Sequence, residues 1–78
     1  MVTVKRKSYI ELSKLCGQRV HFISNCEFFP NFNVTGRVIG INQRPNEIIF
    51  KFKSDKGKII SIGSNMKDLK YEILKSKS

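Results

Sequence analysis

Apolar and polar positions alternate with a two-residue period over most of the chain. In residues 18–24, Val20 and Phe22 alternate with Arg19, His21 and Ile23, the pattern of a half-buried strand. The same period predicts strands over residues 34–42, 47–53, 58–62 and 70–74. In the third of these strands, Ile49 with Phe50 beside it is expected to enter the core. In the fifth, Tyr71 and Ile73 share one face, and Glu72 and Leu74 the other. The period turns helical only near the start. Ile10, Leu12, Leu15 and Cys16 follow the capping-box pattern Ser8-Tyr9-Ile10-Glu11, and Gly17 stands where a helix ends on a left-handed residue. A short helix over residues 9–16 is predicted.

Turn chemistry separates these elements. Gln43-Arg44-Pro45-Asn46 and Ser54-Asp55-Lys56-Gly57 are tight connections. Residues 25–33 read as a loop around Pro30, yet carry Phe28, Phe29 and Phe32. Gly36 and Gly40 interrupt the second strand and predict bending there. Residues 63–69, with Met66 and Leu69, read as a single helical turn before the last strand. The sum is a mainly β chain. A short N-terminal helix precedes five antiparallel strands, which close most naturally into a small bent barrel. Residues 8–74 form one domain, residues 1–7 a loose basic arm containing Lys5-Arg6-Lys7, and residues 75–78 a frayed tail.

Charge changes the picture more than any motif. Fifteen Lys and Arg face six Asp and Glu, a formal net charge of +9 on 78 residues. Most of it is threaded through the strands, so a folded surface carries it, and polyanionic partners are favoured. No apolar run approaches a membrane span, and the N-terminus lacks the apolar stretch of a signal peptide. A cytoplasmic protein is expected. Cys16 and Cys26 are read as reduced thiols. With His21 they supply neither the spacing nor the four ligands of a structural zinc site. Six scattered carboxylates and one histidine offer no pair for acid–base work. Cys16 and His21 read as a buried helix-end thiol and a half-exposed strand histidine, not as nucleophile and base. No enzyme and no cofactor are expected.

The run Gly36-Arg37-Val38-Ile39-Gly40-Ile41-Asn42 through Asn46 and Ile49 has recognisable spacing. Gly36, Val38, Ile41, Asn46 and Ile49 fall where the first Sm motif has its glycine, apolar, apolar, asparagine and apolar positions, and Gly63-Ser64-Asn65-Met66 is similar to the end of the second. The element order also resembles SH3-like small barrels, and more narrowly the Sm and Lsm proteins. Arg44 stands at the family's base-stacking aromatic position, Asn42 at its acid, Pro45 at its methionine and Ile62 at its arginine, so a uridine pocket is only partly supplied. The resemblance implies RNA binding, with Asn46 as a contact, and ring assembly through the edges of the fourth and fifth strands.

From the residues themselves, Lys51, Lys53, Lys56 and Lys58 crowd one predicted hairpin, with Arg37 and Arg44 beside it. These six are candidate phosphate ligands. Phe28, Phe29 and Phe32 are candidate stacking groups for unpaired bases, or anchors for a protein pocket. The commonest outcome for such residues in a core short of large side chains is to fold back as a lid over the barrel's open end. The leading expectation is a nucleic-acid-binding module for RNA or single-stranded DNA. The alternatives are an accessory or inhibitor, of the kind phages encode, that docks on an acidic protein, and a homo-oligomer. The one helix is too short and too poor in basic residues for major-groove reading.

Overall fold

In the computed structural model, which describes residues 2–25 and 31–74, the chain is mainly β and forms one antiparallel sheet. The elements are β1 (Val2–Thr3), a 3₁₀ turn (Val4–Arg6), α1 (Tyr9–Ser13), β2 (Arg19–Ser24), β3 (Phe32–Gln43), β4 (Ile48–Ser54), β5 (Ile59–Gly63) and β6 (Lys70–Ile73). The six strands lie in the order β1-β6-β2-β3-β4-β5. Among the described residues β1 and β5 pair on one side only, so the sheet is open and not the closed five-stranded barrel expected. The sixth strand comes from the segment read as a loose arm. Val2 and Thr3 pair with Tyr71 and Lys70, and Val4 is 1% exposed. A two-residue strand is too short to leave a periodic signal.

The helix forms where its capping residues require it. The Glu11 N–H donates to Ser8 Oγ at 3.3 Å. The Glu11 carboxylate turns to Lys7 at 3.1 Å instead of reaching back to Ser8. The helix is shorter than expected. After Ser13 the bonds tighten to i→i+3 spacing, the Leu15 and Cys16 N–H groups donating to Leu12 and Ser13 carbonyls, and Gly17 ends the turn at φ +83°. Leu12 and Leu15 pack into the core, while Ile10 is exposed.

That core is held within a curled sheet. Phe22 on β2 lies 5.4 Å, centroid to centroid, from both Phe50 and Phe52 on β4, and 6.4 Å from Tyr71. β3 runs between β2 and β4, whose backbones would stand about 9.6 Å apart in a flat sheet. The rings meet because the sheet bends around Phe22. Val20, Val38, Ile62, Leu69 and Val4 complete the buried cluster. Phe50 and Phe52, not Ile49, take the inward positions of β4, since the intervening Lys51 and Lys53 must face water.

The bend has a local cause in β3. Its pairing with β4 shifts register between Val38 and Gly40, leaving Ile39 as the extra residue of a bulge. Before β6 the chain makes two successive turns instead of the expected helical one. The Met66 N–H donates to the Gly63 carbonyl, and the Leu69 N–H to that of Met66. Ser64, 9% exposed, joins this segment to β4, its Oγ accepting from the Ile48 N–H at 2.9 Å. Ser64→Ala is expected to lower stability by about 1–2 kcal/mol, because a nearly buried N–H loses its side-chain partner. A urea titration measures this, and an unchanged midpoint would show that water replaces the hydroxyl.

Candidate nucleic-acid interface

The outer face of the sheet collects the charge. The β2–β3 and β3–β4 registers place Arg19 opposite Arg37 and Arg37 opposite Lys53. Opposed residues stand about 5 Å apart at their Cβ atoms, and like charges so placed repel. Three cations therefore lie side by side across three strands. Lys51 joins them one pleat along, opposite Gly40 and Ser61. All four side chains are exposed. Strand alternation sends them outward because Phe22, Val38, Phe50 and Phe52 claim the other face.

Few acids answer this charge. Arg19 Nη2 donates to Asp55 Oδ2 at 2.6 Å, and Arg37 Nη1 donates to the Gly17 carbonyl at 2.9 Å. The first holds the β4–β5 turn across β3 onto β2, and the second leaves Arg37's charge uncompensated. Among the described residues only two ion pairs form, Arg19–Asp55 and Lys7–Glu11, and neither involves Lys51 or Lys53.

The β4–β5 hairpin prolongs the cluster at one end. Gly57 takes φ +86°, and its N–H donates to the Ser54 carbonyl at 2.9 Å. The Lys58 N–H donates to Ser54 Oγ at 3.2 Å, and the Asp55 N–H to the Thr35 carbonyl at 2.9 Å. This frame presents Lys56 and Lys58, both exposed. Arg44 lies at the other end of β4, about 20 Å away along the strand. There it shares a shallow depression with Lys51, Asn42 and Ile49, so it extends the cationic line. Asn46 does not join that line. Its carbonyl accepts from Asn65 Nδ2 at 3.3 Å, which brings together the two segments with Sm-like spacing.

The structure thus gathers Arg37, Lys51 and Lys53 at the centre, with Lys56 and Lys58 at one end and Arg44 at the other. Arg19 belongs at the centre and was not among the expected residues. Its outward phase was legible, but its place beside Arg37 depends on a β2–β3 register hidden by the loop between them. Phe32 is folded back against the core and is not an exposed stacking platform. It begins β3, half-buried. Phe28 and Phe29 lie outside the described residues.

Elsewhere, His21 Nε2 pairs with Asn33 Oδ1 at 2.5 Å, and Cys16 is an exposed free thiol, not the buried one expected, because the helix ends at Ser13 and the tightened turn carries residue 16 outward. Cys26 lies outside the described residues. Among those residues no three His, Cys, Asp or Glu side chains cluster, and no helix is long and apolar enough to cross a membrane. Compared with known proteins, the chain matches no family model, no curated protein and no solved structure.

Proposed function

We propose that this is a small nucleic-acid-binding module that grips the phosphates of RNA or single-stranded DNA along the outer face of its sheet. The observation that carries this reading is the cross-strand row Arg19–Arg37–Lys53 with Lys51 beside it. Asp55 offsets part of the charge at Arg19, but Arg37 opposite Lys53 has no ion pair among the described residues and costs stability in the free protein, a cost that phosphates between the cations would relieve. Arg19, Arg37 and Arg44 supply planar donors suited to phosphate, and Lys51, Lys53, Lys56 and Lys58 supply point charges along the track.

The curled sheet is read as an SH3-like small barrel, more narrowly Sm-like. What supports the narrower reading is the meeting of the Asn46 turn with Gly63-Ser64-Asn65, and the burial of Val38 with the half-burial of Ile41. Ring assembly through the last strand is less favoured, because β1 already occupies the free edge of β6.

A second reading has its own observation. Ile39 and Ile59, 41% and 56% exposed, flank the cations, and Ile59 lies opposite Lys53. Such a mixed face also suits an acidic protein whose apolar residues meet those isoleucines, with the charge speeding association.

The test is a titration of nuclease-treated protein into labelled single-stranded RNA, single-stranded DNA and duplex DNA at several salt concentrations. Affinity for a single strand is expected to fall with a log–log slope of about −4 to −5, near 0.7 for each phosphate contacted by the track. A slope near zero, or no binding to any strand, would overturn the reading and move the search to the acidic protein.

A further inference from the structure

β3 outruns β4. Its last pairing partner at the hairpin end is Gly36 with Ser54, while Phe32 to Thr35 continue along β2 alone. The hairpin turn covers that overhang only at one point, where the Asp55 N–H reaches the Thr35 carbonyl. Between the overhang and the start of β5 lies a groove of about 530 Å³, walled by Phe32, Val34 and Ile60 and rimmed by Lys56 and Lys58. Val34 and Ile60 are inward-facing partners of Phe22 and Phe52, yet both remain half-exposed. Among the described residues the groove is therefore the open, apolar end of the concave face. Its size falls within the range of sites that enclose small ligands.

We propose that this groove takes one unpaired nucleobase of the bound strand, with the adjoining phosphates held by Lys56 and Lys58. The proposal rests on the nucleic-acid reading above and adds what that reading lacks, a physical basis for preferring single strands. The occupant follows from the walls and the rim together. Apolar walls ask for a flat, weakly hydrated body. Two exposed lysines, neither in an ion pair among the described residues, ask for anionic groups attached to it. The one acid on the rim, Asp55, is held by Arg19 at 2.6 Å, so it does not cancel their charge. A nucleotide within a single strand offers both features. A base stacked in a duplex offers only its phosphates, because the base must leave the helix to enter.

Three probes of equal length separate the outcomes: a ten-nucleotide oligothymidylate, the same backbone with abasic sites throughout, and a ten-base-pair duplex. Their affinities are measured by anisotropy at one salt concentration. The oligothymidylate is expected to bind about tenfold or more tightly than the abasic strand, since seating a base adds to the phosphate contacts. Ile60→Lys, which fills the groove and adds a charge, should remove that preference while leaving abasic binding equal or stronger. Val34→Thr, a smaller change at the opposite wall, should narrow the preference if Ile60→Lys fails to fold. Equal, salt-steep binding of all three probes would overturn the groove and leave the phosphate track standing. Failure of all three to bind would overturn the track itself.

Discussion

Gly36→Ala is expected to unfold the domain. A Cβ at residue 36 would lie 2.7 Å from Ser54 Cα and 2.9 Å from the Lys53 carbonyl carbon, closer than real Cβ atoms approach. Both obstacles are backbone of the paired strand, so no rotamer change relieves them. β3 and β4 must separate there, where the sheet holds Arg37 beside Lys53. Forced overpacking costs about 1–3 kcal/mol when side chains can yield, and backbone against backbone belongs at or above the top of that range. One core of this size supplies about 3–5 kcal/mol in all. Loss of dispersed amide signals and of a cooperative urea transition is the expected readout. Gly40→Ala is the control in the same strand. Its Cβ would meet only Lys51 Cβ, at 3.7 Å, an ordinary contact. Gly40 is not among the glycines with positive φ, so alanine there is expected to stay within about 1 kcal/mol of the parent. Equal losses at both positions would mean that strand propensity, and not the close approach at Gly36, sets the requirement.

The two glycines also show what the sequence tells and what it withholds. Both interrupt an apolar pattern, and both predict bending. Only the structure separates a glycine needed for contact from one beside a bulge. Phase along each strand was mostly legible, because Lys51 and Lys53 can face only water, and that alone sends Phe50 and Phe52 inward. Ile49 was misjudged because three successive apolar residues, Ile48 to Phe50, blur the alternation. β1 was illegible for another reason. Two residues carry no period, and their pairing is decided by the free edge of β6, not by their own composition. Position across strands was the larger gap. Crowding of lysines in the hairpin follows from a four-residue turn. Arg19 beside Arg37 follows from a register that the intervening loop does not fix. The candidate interface was therefore half visible: its hairpin end from local spacing, its centre only from the folded sheet.

The paired substitution Lys51→Glu/Lys53→Glu should move stability and binding in opposite directions. In the folded protein Lys53 stands opposite Arg37, which in turn stands opposite Arg19. Glutamate at 53 replaces a repulsive neighbour with an attractive one, and glutamate at 51 thins the remaining field. Cross-strand charge pairs are worth about 0.2–1 kcal/mol each, so the variant is expected to melt at or slightly above the parent's temperature. The same change takes the four central side chains, Arg19, Arg37, Lys51 and Lys53, from +4 to no net charge. Affinity for a single strand is expected to fall at least about a hundredfold, roughly 2.7 kcal/mol. The salt slope should flatten by about 1.4, the share of two lost phosphate contacts. Lys14→Glu/Lys67→Glu makes the same change in net charge at exposed residues outside the strands, and is expected to cost only several-fold. If both variants lose affinity equally, binding reads the net charge of the molecule and the cross-strand row has no special part in it. If the Lys51/Lys53 variant loses affinity and stability together, the loss is one of folding. A gain in stability with a loss of binding is the outcome that repulsion kept for a ligand's sake requires, since residues arranged for the fold alone would not set Arg37 opposite Lys53 where an acid at either position would hold the strands better.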